Sequence, residues 1–206
     1  MAEDAQAFYD RVMAAGDSEE LAAMSRMTSW GTFPFEGEGL RVARLQPPEL
    51  PEAPRTGEGG RPCDVCERVA SRASDDREVW SNERWRLVAF EPSGAPLVMM
   101  LVPIAHHDLP DLPDDLAAEM GVLMQHICRA VEAVPRIARC HVMRIGDGGA
   151  HLHVFFFARP EGFRQLRGSF LVVWDDLLPP YPQAEVTADA SAVARALAGS
   201  YGGTAR

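Results

Sequence analysis

Two histidines stand one residue apart in the stretch AHLHVFFFAR, residues 150–159. In an extended strand successive side chains alternate between faces. His151, His153, Phe155 and Phe157 then share one face, and Leu152, Val154 and Phe156 share the other. The second set is apolar and belongs against a core. The first presents two imidazoles, which are neutral near pH 7 and can act as metal ligand, nucleophile or proton carrier. A second feature is Cys63-Asp-Val-Cys66, a spacing that serves zinc binding or redox chemistry; no βαβ pattern surrounds it, which counts against a thioredoxin-like role. A structural zinc site needs about four ligands. Cys128 falls on the apolar stripe of a helix and Cys140 has no CxxC partner, so the other donors are sought among histidines: His106 and His107 at the end of one strand, His151 on another. The spacing is wrong for a zinc finger, so a long-range Cys2His2 site would staple a sheet. A third feature is charge. Arg144, Arg159, Arg164 and Arg167 surround the histidine pair, against Asp147 and Glu161. Guanidinium groups suit phosphate bidentately, so the neighbourhood points to an anionic ligand.

The elements that must position these groups are legible in the same way. The 206 residues hold 47% hydrophobic and 24% charged residues, as a globular chain does. Glu78–Trp80 and Arg84–Phe90 read as strands joined by a tight turn at Ser81–Asn82–Glu83. Leu97–Pro103 is a continuous apolar strand expected to be buried on both faces. Leu116, Met120, Leu123, Met124, Ile127 and Val131 form one stripe of a helix over 112–134, with Pro113 in its first turn and Pro135 at its end. Arg139–Ile145, Ala150–Ala158 and Ser169–Trp174 read as strands, the first two joined by Gly146–Asp147–Gly148–Gly149 as an antiparallel hairpin. A helix is expected near 188–198. The fold class is therefore α+β: an antiparallel sheet of about five strands crossed by one long helix, preceded by an N-terminal helical and Pro-rich extension. Residues 2–27 read as two short helices, with Asp17 and Glu20 in a capping-box pattern, and 30–62 as an extended Pro/Gly-rich arm. The expected divisions are an arm over 1–62, a core domain over 63–182, and a C-terminal helix and tail over 183–206.

Composition excludes several functions. All 20 basic residues are arginine, so lysine Schiff-base chemistry and a phosphate-loop lysine are ruled out. The net charge of −10 repels nucleic acid and anionic membranes at long range, so neither is an expected partner. No apolar run reaches membrane-spanning length and no signal-peptide pattern is seen. Four cysteines without such a signal favour thiols or metal ligands over disulfides, and the expected location is the cytoplasm.

The order CxxC, a strand ending Pro-Ile-Ala-His, a long helix, a strand, a glycine turn and His-Leu-His-Val-Phe-Phe-Phe-Ala-Arg resembles the histidine-triad superfamily of nucleotide hydrolases and nucleotidyltransferases, over roughly residues 63–175. The family motif alternates three histidines with apolar residues; here His151 and His153 fill two positions and Phe155 the third. The resemblance implies a HIT-like fold, a nucleotide or other phosphorylated small molecule as ligand, and often a homodimer. It implies that His153 is the nucleophile that attacks phosphorus and forms a nucleotidyl-histidine intermediate. It further implies a structural zinc held by Cys63, Cys66, His106 and His151; the Pro-x-x-His spacing suits His106 better than His107 and leaves both open. Arg159 stands near the family's motif arginine, preceded by Ala158 and not proline, and Arg144 or Arg159 is the candidate phosphate-binding group. Phe155 cannot donate a hydrogen bond to a developing phosphorane oxygen, a loss of roughly 3–4 kcal/mol of transition-state stabilisation for one preorganised donor. The alternative is a zinc-containing domain that binds a ligand or partner without turnover.

Overall fold

The apolar runs of the sequence pair into one antiparallel sheet in the computed structural model, which describes residues 47–71 and 77–206. Among these are six strands: β1 (Glu78–Ser81), β2 (Trp85–Ala89), β3 (Val98–Pro103), β4 (Ile137–Met143), β5 (Val154–Pro160) and β6 (Thr204–Ala205). Their order is β4-β5-β3-β2-β1-β6, and every adjacent pair is antiparallel. Four α-helices accompany them: α1 (Asp64–Ser71), α2 (Asp114–Glu132), α3 (Phe170–Leu177) and α4 (Gln183–Ser200), with a 3-10 turn at Leu109–Asp111. The chain divides into two compact units, Met1–Ala53 and Pro54–Arg206; all of these elements belong to the second. The two helices expected over 2–27 and the Asp17/Glu20 pattern lie outside the described residues. No helix among the described residues is long and apolar enough to cross a membrane.

The two faces of the sheet carry two cores. On one, Leu87, Met99, Leu101, Val154, Phe156 and Ala158 pack under Leu123, Ile127 and Val131 of α2 and Val193, Ala194 and Leu197 of α4. Each fully buried large side chain here contributes roughly 1.5–3 kcal/mol relative to exposure. Asp114 and Asp115 in the first turn of α2 and Arg129 in its last match the helix dipole. On the other face Phe155 and Phe157 join Ala95, Val98, Leu166, Leu171 and Trp174 in a second cluster. The expected alternation along β5 therefore holds, with Phe156 facing the long helix and Phe155 facing away from it.

Four expectations differ. The strand expected over Arg139–Ile145 is β4 at Ile137–Met143, so residues 144–153 and not a four-residue turn join it to β5. Ser169–Trp174 is not a strand: Phe170–Leu177 is α3. A short run of valines and aromatics is compatible with either element, and tertiary packing decides it, because the helical spacing of Leu171, Trp174 and Leu178 places all three in the second cluster. β5 begins at Val154, not Ala150. The backbone just before it bonds to two loops, with the Ala150 amide donating to Thr56 O at 2.9 Å and the Leu152 amide to His107 O at 2.6 Å. The C-terminal helix runs Gln183–Ser200, longer than 188–198, and the chain then adds β6 beside β1. That last turn needs Gly203, whose φ is +84° and whose Cβ would lie 2.6 Å from the Trp80 ring.

Candidate metal centre and histidine site

Four donor side chains from three separated segments meet at one end of the sheet. Cys63 precedes α1 and Cys66 lies in its first turn; His106 follows β3; His151 lies in the lead-in to β5. Their ligand atoms all fall within 4.8 Å of one another. His151 Nδ1 is 3.5 Å from both Cys63 Sγ and Cys66 Sγ, and His106 Nδ1 is 3.3 Å from Cys66 Sγ. The His106 and His151 rings meet edge-on at 4.9 Å. His107 is outside this cluster, and its carbonyl instead accepts the Leu152 amide.

The arrangement has the chemistry of a metal centre. His151 Nε2–H donates to Pro103 O at 2.9 Å, which fixes the tautomer and leaves the Nδ1 lone pair facing the sulfurs, as in ligating histidines generally. His151 is buried. Burial holds its imidazole below the ordinary histidine range, against the pull of the Pro103 carbonyl and with help from the neighbouring imidazoles, so the ring is in its neutral, ligating form. Burial also pushes the Cys66 thiol up to about 11, with Cys63 adding a hydrogen bond and charge repulsion. Two thiols this close resist ionising together unless a cation stands between them. The four groups could hold a metal ion.

His153 lies two residues on and is half-buried. Its Nδ1–H donates to the His151 carbonyl at 2.8 Å, which leaves Nε2 as the ring's lone-pair nitrogen. Its ring sits edge-on to Phe155 at 5.5 Å and 82°. Phe155 in turn contacts Phe90 at 5.6 Å and Phe157 at 5.9 Å, so the third motif position is occupied by a packing residue. Met100 is the cross-strand partner of Phe155, and it lines a cavity of about 110 Å³ together with Val88, Phe90, Val102, Arg68, Arg77 and Arg86. Cross-strand partners share a face, so this cavity opens on the His153 side of the sheet.

The arginines expected to meet phosphate are engaged elsewhere. Arg144 Nη2 pairs with Asp108 Oδ1. Arg159 Nη1 donates to Pro160 O at 3.2 Å and Phe163 O at 3.4 Å, and six strand positions put it about 20 Å along the chain from His153. Residues that sequence reasoning left without a role are also here. Arg55 pairs with Asp108 at 2.8 Å, and Gly57, at φ +81°, leaves no room for a Cβ, which would lie 2.9 Å from His106 Cε1 and 3.2 Å from Cys63 Cβ.

No protein-family model matches the sequence, and no curated protein matches it. Solved structures do. A zinc-bound histidine triad family protein from Mycobacterium smegmatis is 19% identical, with 66% of this chain and 94% of that one superposed at a TM-score of 0.50. A histidine triad nucleotide-binding protein from Sulfolobus tokodaii, described as hypothetical, is 14% identical, over 68% of this chain and 97% of that one at 0.51. The chain has the histidine-triad fold. Nearly the whole of each related structure is matched, so the HIT-like sheet and its long helix are present in full, and the extra length of this chain lies outside that match.

Proposed function

We propose that this HIT-like chain is a zinc-stapled hydrolase or nucleotidyltransferase that acts on a phosphate ester or anhydride of a nucleotide through His153. The observation that carries the proposal is the Nδ1–H bond from His153 to the His151 carbonyl. It aims the Nε2 lone pair away from the backbone and toward a ligand. When Nε2 attacks phosphorus, a P–N bond forms, the bond to the leaving oxygen breaks, and positive charge develops on the ring. The same carbonyl then accepts from a more acidic N–H, a charge-assisted bond that strengthens as the reaction proceeds. Water or another acceptor next takes the nucleotidyl group and returns the lone pair to Nε2. The cavity beside Phe90 and Met100 would receive the non-reacting part of the substrate, with its arginines supplying local positive charge in an acidic protein.

Zinc suits the donor set. With Zn–S near 2.3 Å and Zn–N near 2.0–2.1 Å, a tetrahedral site separates sulfur and nitrogen by about 3.6 Å, beside the 3.3–3.5 Å seen here. Such an ion supplies rigidity: His151 would be held at Nδ1 by the metal and at Nε2 by Pro103, and its carbonyl would hold His153.

A second reading, ligand or partner binding without turnover, is favoured by Phe155, which fills the third motif position with a ring bound into an apolar cluster. Mass spectrometry at alkaline pH separates the two. Protein mixed with a panel of nucleoside phosphoramidates, dinucleotides and sugar nucleotides is expected to carry a nucleotidyl group on His153. That label and turnover should both disappear in His153→Ala. Absence of label and turnover across the panel, or full activity in His153→Ala, would sink the enzyme reading and leave the binding one.

A further inference from the structure

The segment before the CxxC pair is expected from sequence to be an arm outside the domain, yet it touches every segment that carries a candidate ligand. Residues 54–62 form a tight strap. The Gly57 amide donates to Pro62 O at 2.9 Å, the Glu58 amide to Arg55 O at 3.1 Å and the Arg61 amide to Glu58 O at 3.0 Å. Gly57, Gly59 and Gly60 all have positive φ, a conformation that glycine adopts without steric cost. The strap leads directly into Cys63. Toward the His151 segment, the Thr56 amide donates to Gly148 O at 3.2 Å, Thr56 O accepts from the Ala150 amide at 2.9 Å, and Arg55 Nη1 donates to Gly146 O at 2.9 Å. Toward the His106 segment, Arg55 Nη2 pairs with Asp108 at 2.8 Å, and Asp108 also receives Arg144. The Gly57 backbone lies against the His106 ring edge and the Cys63 side chain.

Resting on the reading of Cys63, Cys66, His106 and His151 as a zinc site, we propose that Arg55, Gly57 and Asp108 are positioning residues of that site: the strap assembles the three ligand-bearing segments before metal arrives and so sets the affinity. One guanidinium spans Gly146 O with Nη1 and Asp108 with Nη2, a geometry fixed by its planar fork, where a lysine ammonium offers only a flexible point charge. Asp108 is only 14% exposed at its side chain, so the pair is shielded from water more than a surface ion pair. Preorganised donors bind with less ordering cost, and partners that orient metal ligands are each worth about ten- to a hundredfold in affinity.

The test uses the full chain and zinc itself. Zinc affinity is measured by competition with a chromogenic chelator, and the visible ligand-field bands of the cobalt-loaded protein report site geometry. Arg55→Met and Asp108→Asn are expected to weaken zinc binding by about tenfold each, and the double variant by less than the product of the two, since both remove the Arg55–Asp108 pair while each also breaks a contact of its own. Asp108→Asn keeps the side-chain oxygen that accepts from the Leu109 amide, so it preserves the turn and removes the charge. Arg55→Lys should fall between wild type and Arg55→Met, and serves if the methionine variant does not fold. Arg84→Met, which breaks the ion pairs of Arg84 with Asp115 and Glu119, should bind zinc as wild type does. Wild-type affinity and cobalt bands in Asp108→Asn and Arg55→Lys would overturn the proposal, as would an equal loss in Arg84→Met. Wild-type protein that takes up no zinc at all would overturn the zinc reading on which it rests, a separate outcome.

Discussion

At the scale of single residues the site turns on one main-chain atom. His151 offers its ring to the cluster of candidate ligands and its carbonyl to His153, so the two histidines are coupled through a backbone oxygen. Phe155 belongs to a different account, that of the second core, where it packs between Phe90 and Phe157. His141, on β4, titrates away from the metal cluster. Its Nε2 is buried with no hydrogen-bond partner. Burial first, and the Arg159 guanidinium second, hold its imidazole below the ordinary histidine range, with Glu132 pulling the other way. The folded state thus prefers neutral His141, while the unfolded chain takes up a proton near pH 6.5. Because the unfolded state binds more protons in that window, stability is complete above about pH 6.5 and falls as pH drops below it. Urea unfolding of the zinc-loaded protein at a series of pH values should show this loss, and His141→Gln should lessen it. An identical pH profile in the variant would exclude His141 as a contributor.

At the scale of elements, α3 and the strap decide what the sheet can present. α3 is anchored from the side: Asp175 Oδ1 accepts from Ser93 Oγ–H and from the Ala95 amide, both at 2.7 Å. Gly94 must lack a Cβ there, since one would lie 2.5 Å from Asp175 O. Asp175→Ala removes two bonds to a carboxylate and leaves Ser93 Oγ–H with Ala95 O and the Ala95 amide with Ser93 Oγ, and should cost about 1–3 kcal/mol in urea unfolding. Unchanged stability would mean that the apolar cluster alone holds the helix. Neither feature was legible beforehand, because the run Phe170–Leu177 has the composition of a strand and the Asp175 contacts join residues eighty positions apart. The α2 stripe and the alternation in β5 were legible, because each is a periodicity of the element itself.

At the scale of the whole domain, the four candidate ligands bring together α1, the loop after β3 and the lead-in to β5, while β6 forms an edge of the sheet beside β1. There Glu78, with a side chain 1% exposed, pairs with Arg86 at 3.0 Å and Arg206 at 2.9 Å, and Trp80 Nε1–H donates to Gly202 O at 2.9 Å. A ligand bound a thousandfold above its dissociation constant stabilises by about 4 kcal/mol, so zinc removal by a chelator should lower the melting temperature by on the order of 10 °C. Cys63→Ser should melt like the stripped protein with or without added zinc. A chelator-insensitive melt in wild type would show that the cluster closes without metal.

The sequence by itself determined the fold class, the long helix, the inward and outward faces of β5, and the donor types, because these follow from local periodicity and from side-chain chemistry. Tertiary structure alone decided that His106 and not His107 joins the cysteines, that Arg144 pairs with Asp108, that Arg159 lies far down the strand, and that residues 54–62 pack against the segments that carry the candidate ligands. Each of these depends on where distant segments of the chain meet, and spacing along the sequence does not encode that distance.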